Sequence, residues 1–237
     1  MIGASRGIGR AVALALASEG ATVIATARTL EALDGLESDV QVAGGTFMGV
    51  ALELADLHRI HELGDVIGTR YGRLDAVFGS AGIAGGHGPV QTLSDAIWNT
   101  TLLVNLSSSF CLIRTFDPLL RQSDAGRLLF VTSDVAWRRP AGSAPDAVSK
   151  AALEALVGAY AHENEDGPIR ANLINPGPIR AEPRADDRPD EDPSSAPTAD
   201  TVAPSIVRML SPDFTENGVI YDVVGNRLTR PVAPQGI

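Results

Sequence analysis

Short apolar runs alternate along the chain with longer stretches in which apolar residues recur every three or four positions. The short runs are rich in Val, Ile and Leu and lack polar alternation, which is typical of strands buried on both faces of a parallel sheet. The longer stretches predict amphipathic helices. The predicted strands are 21–27, 46–52, 75–79, 127–133, 170–175 and 219–224, and the predicted helices are 8–18, 54–71, 95–120, 146–162 and 201–210.

Alternation of strands and helices over the whole length predicts a doubly wound α/β fold, a parallel sheet with helices on both faces, formed by one domain over residues 1–237. The segment 181–200 has four prolines and seven acidic residues and predicts a loop. One element is missing from this pattern. A glycine-rich turn normally follows a central strand of about five or six residues, but only Met1 and Ile2 precede Gly3. We therefore expect either that the first strand is largely missing or that the true start of the chain lies upstream of Met1.

Composition and charge narrow the possible partners. The chain has 237 residues, with 19 basic and 29 acidic side chains and a net charge of −10, which argues against nucleic-acid binding. No segment is expected to span a membrane. The single cysteine, Cys111, excludes an internal disulfide and suits a reducing, cytoplasmic setting. His58 and His61 lack a third ligand in the sequence, so no metal site is expected.

A glycine-rich turn opens the first predicted helix. Residues 3–9 read GASRGIG, with Gly3, Gly7 and Gly9 in a G-x-x-x-G-x-G spacing. Glycines allow backbone angles closed to other residues and let N–H groups approach a pyrophosphate at a helix N-terminus. On this motif alone, phosphate binding and a simple turn are about equally supported.

Three further motifs follow at characteristic distances. Residues 79–82 read GSAG at a strand end, residues 143–153 read SAPDAVSKAAL, and residues 172–177 read NLINPG, with Ser133 lying 13 residues before Asp146. In this order the motifs resemble the short-chain dehydrogenase/reductase family, whose members are oxidoreductases that use a nicotinamide cofactor. The resemblance extends over essentially the whole chain.

The resemblance implies four catalytic positions. Lys150 matches the lysine that holds the nicotinamide ribose, and it is the only lysine in the chain. Ser133 matches the serine that hydrogen-bonds the substrate oxygen, and Asn105 matches the asparagine of the proton relay. The family tyrosine, four positions before the lysine, is replaced by Asp146.

The replacement at Asp146 puts the chemistry in doubt. A carboxyl group is shorter than a phenol by one ring, and its reference pKa is near 3.9. We expect Lys150, one helical turn away, to lower the pKa of Asp146 further. Asp146 would then be ionised at pH 7 and would have no proton to donate to a ketone, unless it polarises a water together with Ser133.

The resemblance also implies a cofactor site and its preference. An acidic residue at the end of the second family strand selects NAD(H) by repelling a 2′-phosphate, but here Arg28 stands at that end and Arg6 lies in the glycine loop. We therefore expect NADP(H) rather than NAD(H), although both arginines could simply be solvated. The implied cofactor-binding residues are Gly3, Ser5, Arg6, Gly7, Ile8, Gly9, Arg28, Glu53, Leu54, Ser80, Ala81, Gly82, Lys150, Pro176, Gly177 and Ile179.

Three functions remain open on the sequence. The first is an NADP(H)-dependent oxidoreductase acting on a small carbonyl or alcohol, impaired or altered at Asp146. The second is a non-catalytic relative that senses the nucleotide or serves as a subunit. A halide-releasing branch of the family is disfavoured because it lacks the glycine loop and has Arg in place of Lys150. By analogy, we also expect a homo-oligomer formed through the helices around Asn105 and Lys150.

Overall fold

The sheet of the computed structural model, which describes residues 1–179 and 197–230, confirms the predicted α/β architecture. The strands are β1 (Thr22–Ala27), β2 (Thr46–Ala51), β3 (Ala76–Gly79), β4 (Arg127–Val131), β5 (Arg170–Asn175), β6 (Ile220–Asp222) and β7 (Arg227–Thr229). They run parallel except β7, and hydrogen bonding orders them β2–β1 and β3–β4–β5–β6–β7. Every predicted strand is present to within a few residues, and the antiparallel β7 was not predicted.

The first residues of the chain join the two groups of strands. Ile2 forms parallel bridges to Thr26 of β1 and to Gly79 of β3. Its N–H donates to the carbonyl of Phe78 (2.8 Å), and its carbonyl accepts from the N–H of Ser80 (3.0 Å). On the other side, the Ala4 N–H donates to the carbonyl of Thr26 (2.8 Å). Residues 1–4 therefore lie between β1 and β3 and keep the sheet continuous.

The helices lie on both faces of the sheet. Two of them, Asp34–Val42 and the short Val135–Arg138, were not predicted, and the helix predicted over 54–71 begins only at Leu57. Asp56 caps that helix by accepting from the N–H groups of His58 and Arg59, and Gly72 ends it with φ +73°. The helices are α1 (Gly7–Ser18), α2 (Asp34–Val42), α3 (Leu57–Tyr71), α4 (Asp95–Leu102), α5 (Ser108–Leu120), α6 (Val135–Arg138), α7 (Ala144–Glu163) and α8 (Ala199–Leu210).

The helix predicted over 95–120 is continuous but irregular. A π-helical segment, Leu103–Ser107, separates α4 from α5 and contains the buried Asn105. Such segments are frequent at functional sites. By length and composition alone, Asp95–Leu120 is apolar enough to span a membrane, but a core helix passes the same test, so the expectation that no segment spans a membrane stays a prediction. In the fold, α5 packs buried Leu112 and Phe116 into the core.

The core consists of apolar layers above and below the sheet. Alternate residues of the central strands point to opposite faces, as in any strand. Val77 and Phe130 pack on one face with Phe116 of α5 and Leu153 of α7. The opposite face packs against α1 and α8 through residues that include Val12, Phe78, Leu129, Ile174 and Ile206.

We expect Ile2→Ala to lower the free energy of unfolding by about 2 to 4 kcal/mol, because Ile2 is buried between β1 and β3 in the main core. Urea unfolding measures the change. The matched control is Val42→Ala, since Val42 is 89% exposed and its truncation should change stability by no more than about 0.5 kcal/mol. Equal effects of the two substitutions would contradict the packing described for Ile2.

Candidate active site

The predicted site residues gather at one edge of the sheet. Carboxyl ends of neighbouring parallel strands meet at the same edge, where open α/β sheets bind their ligands. Arg28 follows β1, Ser80 follows β3, Ser133 lies two residues after β4, and Pro176 follows β5. The fold thus brings together motifs that are separated by up to about 150 residues in the sequence.

Close backbone contacts explain the glycines of the first loop. Gly3 and Gly7 have φ of +84° and +56°, which other residues rarely adopt. A Cβ on Gly9 would overlap the carbonyl oxygen of Gly3, and a Cβ on Gly3 would lie 2.7 Å from the Cβ of Ala81. Arg6 directly precedes α1, and its side chain does not cap the helix. The first N–H groups of the helix are therefore left for an anion. The loop therefore fits a dinucleotide pyrophosphate.

Ser80 fastens this loop to β3. Its hydroxyl donates to the carbonyl of Gly3 (3.0 Å), and its N–H donates to the carbonyl of Ile2 (3.0 Å). These bonds join the glycine loop to the strand end. The half-buried Ser5 and Ile8 lie in the same turn.

Two arginines lie at the far end of this edge. Arg6 and Arg28 are both exposed, and within the described ranges neither forms an ion pair with an acidic residue. Glu53 is also exposed and accepts from the N–H of Ala55 (3.1 Å), whereas Leu54 is buried. Two cations that do not pair with a described carboxylate suit a phosphate group.

Asn105 and Lys150 lie together at the other end. The Asn105 side chain exchanges hydrogen bonds with the Ile83 backbone, donating to its carbonyl and accepting from its N–H (both 2.9 Å), and also donates to the Ser149 hydroxyl (3.0 Å). A Cβ on Gly82 would lie 3.1 Å from Asn105 Oδ1 and 3.7 Å from Lys150 Nζ. These two residues, with Leu54 and Ala81, also line a cavity of about 10 Å³.

Lys150 is held against the end of β4. Its Nζ donates to the carbonyl of Val131 (2.9 Å), two residues before Ser133. Burial lowers the pKa of Lys150, and the charges of Asp146 and Glu154 oppose that shift. An ammonium with one backbone acceptor retains donors for ribose hydroxyls.

The pKa of Asp146 shifts in the direction opposite to the one expected from the sequence. The side chain is half-buried in the first turn of α7. Burial raises the pKa of Asp146 above its ordinary value, and the charges of Lys150 and His87 only partly oppose this shift. Lys150 does act in the expected direction, but the expectation of a pKa below the ordinary value is wrong, because desolvation of the carboxylate outweighs the nearby ammonium.

Ser133 and the residues after β5 complete the site. The Ser133 hydroxyl is directed at its own segment, with Asp134 Oδ1 and the Val135 N–H each 3.4 Å away, and in the described residues it does not bond to Asp146 or Lys150. Gly177 has φ +71°, and a Cβ there would collide with Val224. Pro176 is buried and Ile179 is half-buried.

Sequence reasoning missed a buried acid beside these residues. Glu154 lies one helical turn after Lys150 on α7 and accepts hydrogen bonds from Thr132 and Trp137. The signal was present in the sequence, because the four-residue step from Asp146 to Lys150 to Glu154 places all three on one face of a helix. No cluster of three His, Cys, Asp or Glu suited to a metal occurs in residues 1–179 and 197–230.

Comparison with known proteins identifies the family. Residues 1–192 match the short chain dehydrogenase family. The chain is 32% identical to the uncharacterized oxidoreductase YciK of Escherichia coli K12, over 95% of this chain and 90% of that protein. The chain therefore belongs to the short chain dehydrogenase family, as its motifs predicted.

Solved structures agree with this assignment. The crystal structure of a short chain dehydrogenase from Shigella flexneri, complexed with NADP, has a TM-score of 0.86 and 31% identity, over 93% of this chain and 94% of that chain. A short chain dehydrogenase from Escherichia coli CFT073, complexed with NADPH, has a TM-score of 0.86 and 32% identity, over 93% of each chain.

Proposed function

We propose that this protein transfers a hydride between NADP(H) and a small carbonyl or alcohol substrate. The observation that carries the proposal is the position of Lys150, the only lysine of the chain, whose ammonium lies beside Gly82 and Asn105 at the ligand-binding edge of the sheet. Membership of the family and the two NADP-complexed relatives support the same conclusion.

The cofactor site divides along the sheet edge. The glycine loop with Ser5, Ile8 and the N-terminus of α1 would hold the pyrophosphate, and Arg6 and Arg28 would pair with the 2′-phosphate. Bound NADPH supplies the hydride. The adenine would be bordered by Glu53 and Leu54, and the cofactor would be supported beside β3 by Ser80, Ala81 and Gly82. Lys150 would hold the nicotinamide ribose. The nicotinamide itself would be lined by Pro176, Gly177 and Ile179.

We expect Arg28→Ala and Arg6→Ala each to weaken NADPH binding by about tenfold while leaving NADH binding nearly unchanged, because each removes a cation that we propose pairs with the 2′-phosphate. Fluorescence titration measures both dissociation constants. Arg208→Ala is the control, since Arg208 is an exposed arginine near the end of α8. A parallel loss of NADPH and NADH affinity would argue against a 2′-phosphate contact.

On the substrate side, Ser133 would donate to the carbonyl oxygen, and Asp146 would stand where the family's proton donor lies. Burial raises the pKa of Asp146, so its protonated form persists to higher pH than in an exposed aspartate. A protonated carboxyl can donate a proton, directly or through a water that fills the space of the missing ring.

Ketone reduction should therefore be slow at pH 7 and should accelerate as the pH falls through the pKa of Asp146, since the acid form is the donor. Asp146→Ala should abolish this increase of the rate at low pH and should lower turnover. Asp146→Tyr should raise turnover at pH 7 by about 10²–10⁴, the usual contribution of a general acid. NADPH oxidation with a ketone panel measures all three proteins, and equal rates for wild type and Asp146→Ala would exclude a role for Asp146.

A second function, nucleotide binding without catalysis, is favoured by the presence of an aspartate, Asp146, at the position where the resemblance implies a catalytic tyrosine. In that case the wild type binds NADPH, reduces no ketone at any pH, and gains turnover only as Asp146→Tyr. An absence of NADPH binding would defeat both functions.

We also propose that the protein forms a homo-oligomer through α5 and α7. Ala151, Ala155 and Ala159 form an exposed small-residue face on α7, which permits close helix packing. Phe110 of α5 and Val148 of α7 are 50% and 43% exposed.

With a net charge of −10, we expect small molecules rather than nucleic acids as ligands. The free, buried Cys111 suits a cytoplasmic setting.

Ala155→Arg should reduce the mass of the particle in size-exclusion chromatography with light scattering, because a guanidinium at the centre of this face prevents close approach. Val42→Arg, on the exposed end of α2, should leave the mass unchanged. The same mass for both variants would place the interface elsewhere.

A further inference from the structure

A buried carboxylate lies directly behind the site. Glu154 is only 8% exposed, although an acid in a protein interior is costly unless its oxygens are hydrogen-bonded. Both of its oxygens are used. Oε1 accepts from the hydroxyl of Thr132 (2.6 Å), and Oε2 accepts from the indole N–H of Trp137 (3.0 Å).

The two donors flank the segment that contains Ser133. Thr132 precedes Ser133 directly, and Trp137 lies in α6, four residues after it. On the strand side, the Thr132 N–H donates to the carbonyl of Ile174 (2.9 Å), and Lys150 binds the carbonyl of Val131. Glu154 therefore fastens both ends of a short loop to the helix that also carries Lys150 and Asp146.

The choice of residue type is informative. Replacing buried charged groups by apolar residues of similar size is often neutral or stabilising, so packing alone does not call for an acid here. A carboxylate can accept from two donors on different elements at once. The ring of Trp137 is 41% exposed, so burial alone does not fix its orientation, and the bond from its N–H to Glu154 supplies that constraint.

We propose that Glu154 is a positioning residue for the substrate side of the site, holding the Ser133 segment and the Trp137 indole in one arrangement relative to Lys150. It does not itself touch the substrate. The proposal rests on the proposed function, because Ser133 matters only if a carbonyl substrate binds beside it.

Two substitutions separate positioning from packing. Glu154→Leu keeps the apolar volume and removes both acceptors. Glu154→Gln can accept from Trp137 through its oxygen and donate to the Thr132 hydroxyl, so it should restore the arrangement without the charge. Trp137→Phe removes the N–H but keeps an aromatic ring.

The first test needs no catalytic activity. The chain has two tryptophans, so Trp98→Phe leaves Trp137 as the sole reporter. In this background we expect Glu154→Leu to increase acrylamide quenching of Trp137, and Glu154→Gln to leave it as in the parent. Unchanged quenching in Glu154→Leu would overturn the proposal.

The second test uses ketone reduction in the Asp146→Tyr background, with ethyl acetoacetate and phenanthrenequinone as probes. Glu154→Leu and Trp137→Phe should each lower kcat/KM for the ketone by about tenfold, with NADPH affinity within about twofold. Their double variant should lose little more than either single one, because both break the same contact. Glu154→Gln should recover most of the rate.

Two other results would contradict either the role of Glu154 or the proposed function. A lower melting temperature for Glu154→Leu with unchanged kcat/KM and quenching would make Glu154 purely structural and overturn the proposal. If NADPH does not bind to the parent protein, the proposed function fails, while the quenching comparison still decides whether Glu154 orients Trp137.

Discussion

The whole structure depends on a short backbone junction. Residues 1–4 lie between β1 and β3 and are hydrogen-bonded to both, so the sheet is continuous between these strands. The same residues lead directly into the glycine loop, and Ser80 fastens that loop to β3. Stability of the sheet and geometry of the cofactor site therefore rest on the same few hydrogen bonds.

Helix α7 contributes a row of charged groups to the site. Asp146, Lys150 and Glu154 follow one another at four-residue steps, and each lies where burial disfavours its charged form. Their mutual attraction and their hydrogen bonds to Val131, Thr132 and Trp137 offset part of that cost. The helix thus orients the end of β4 while presenting Lys150 toward Gly82.

Asp146 shows how burial changes a chemical argument. With Lys150 one turn away, Coulomb attraction alone would make Asp146 a stronger acid than usual. Desolvation in the half-buried first turn of α7 outweighs that attraction, and the pKa rises instead. A carboxyl group with a raised pKa is better suited to proton donation than the sequence suggested.

Sequence periodicity predicted the strands, the main helices and the edge of the sheet where the motifs meet, because buried parallel strands and amphipathic helices leave clear local patterns. It missed the short α2, α6 and β7, which depend on tertiary contacts more than on their own pattern. Glu154 shows the same limit: the sequence places it on the face of Lys150, but only packing brings Thr132 and Trp137 to its two oxygens. The sequence by itself determined which residue types were present at which spacing. The tertiary structure decided burial, and through desolvation the proton affinities of the site.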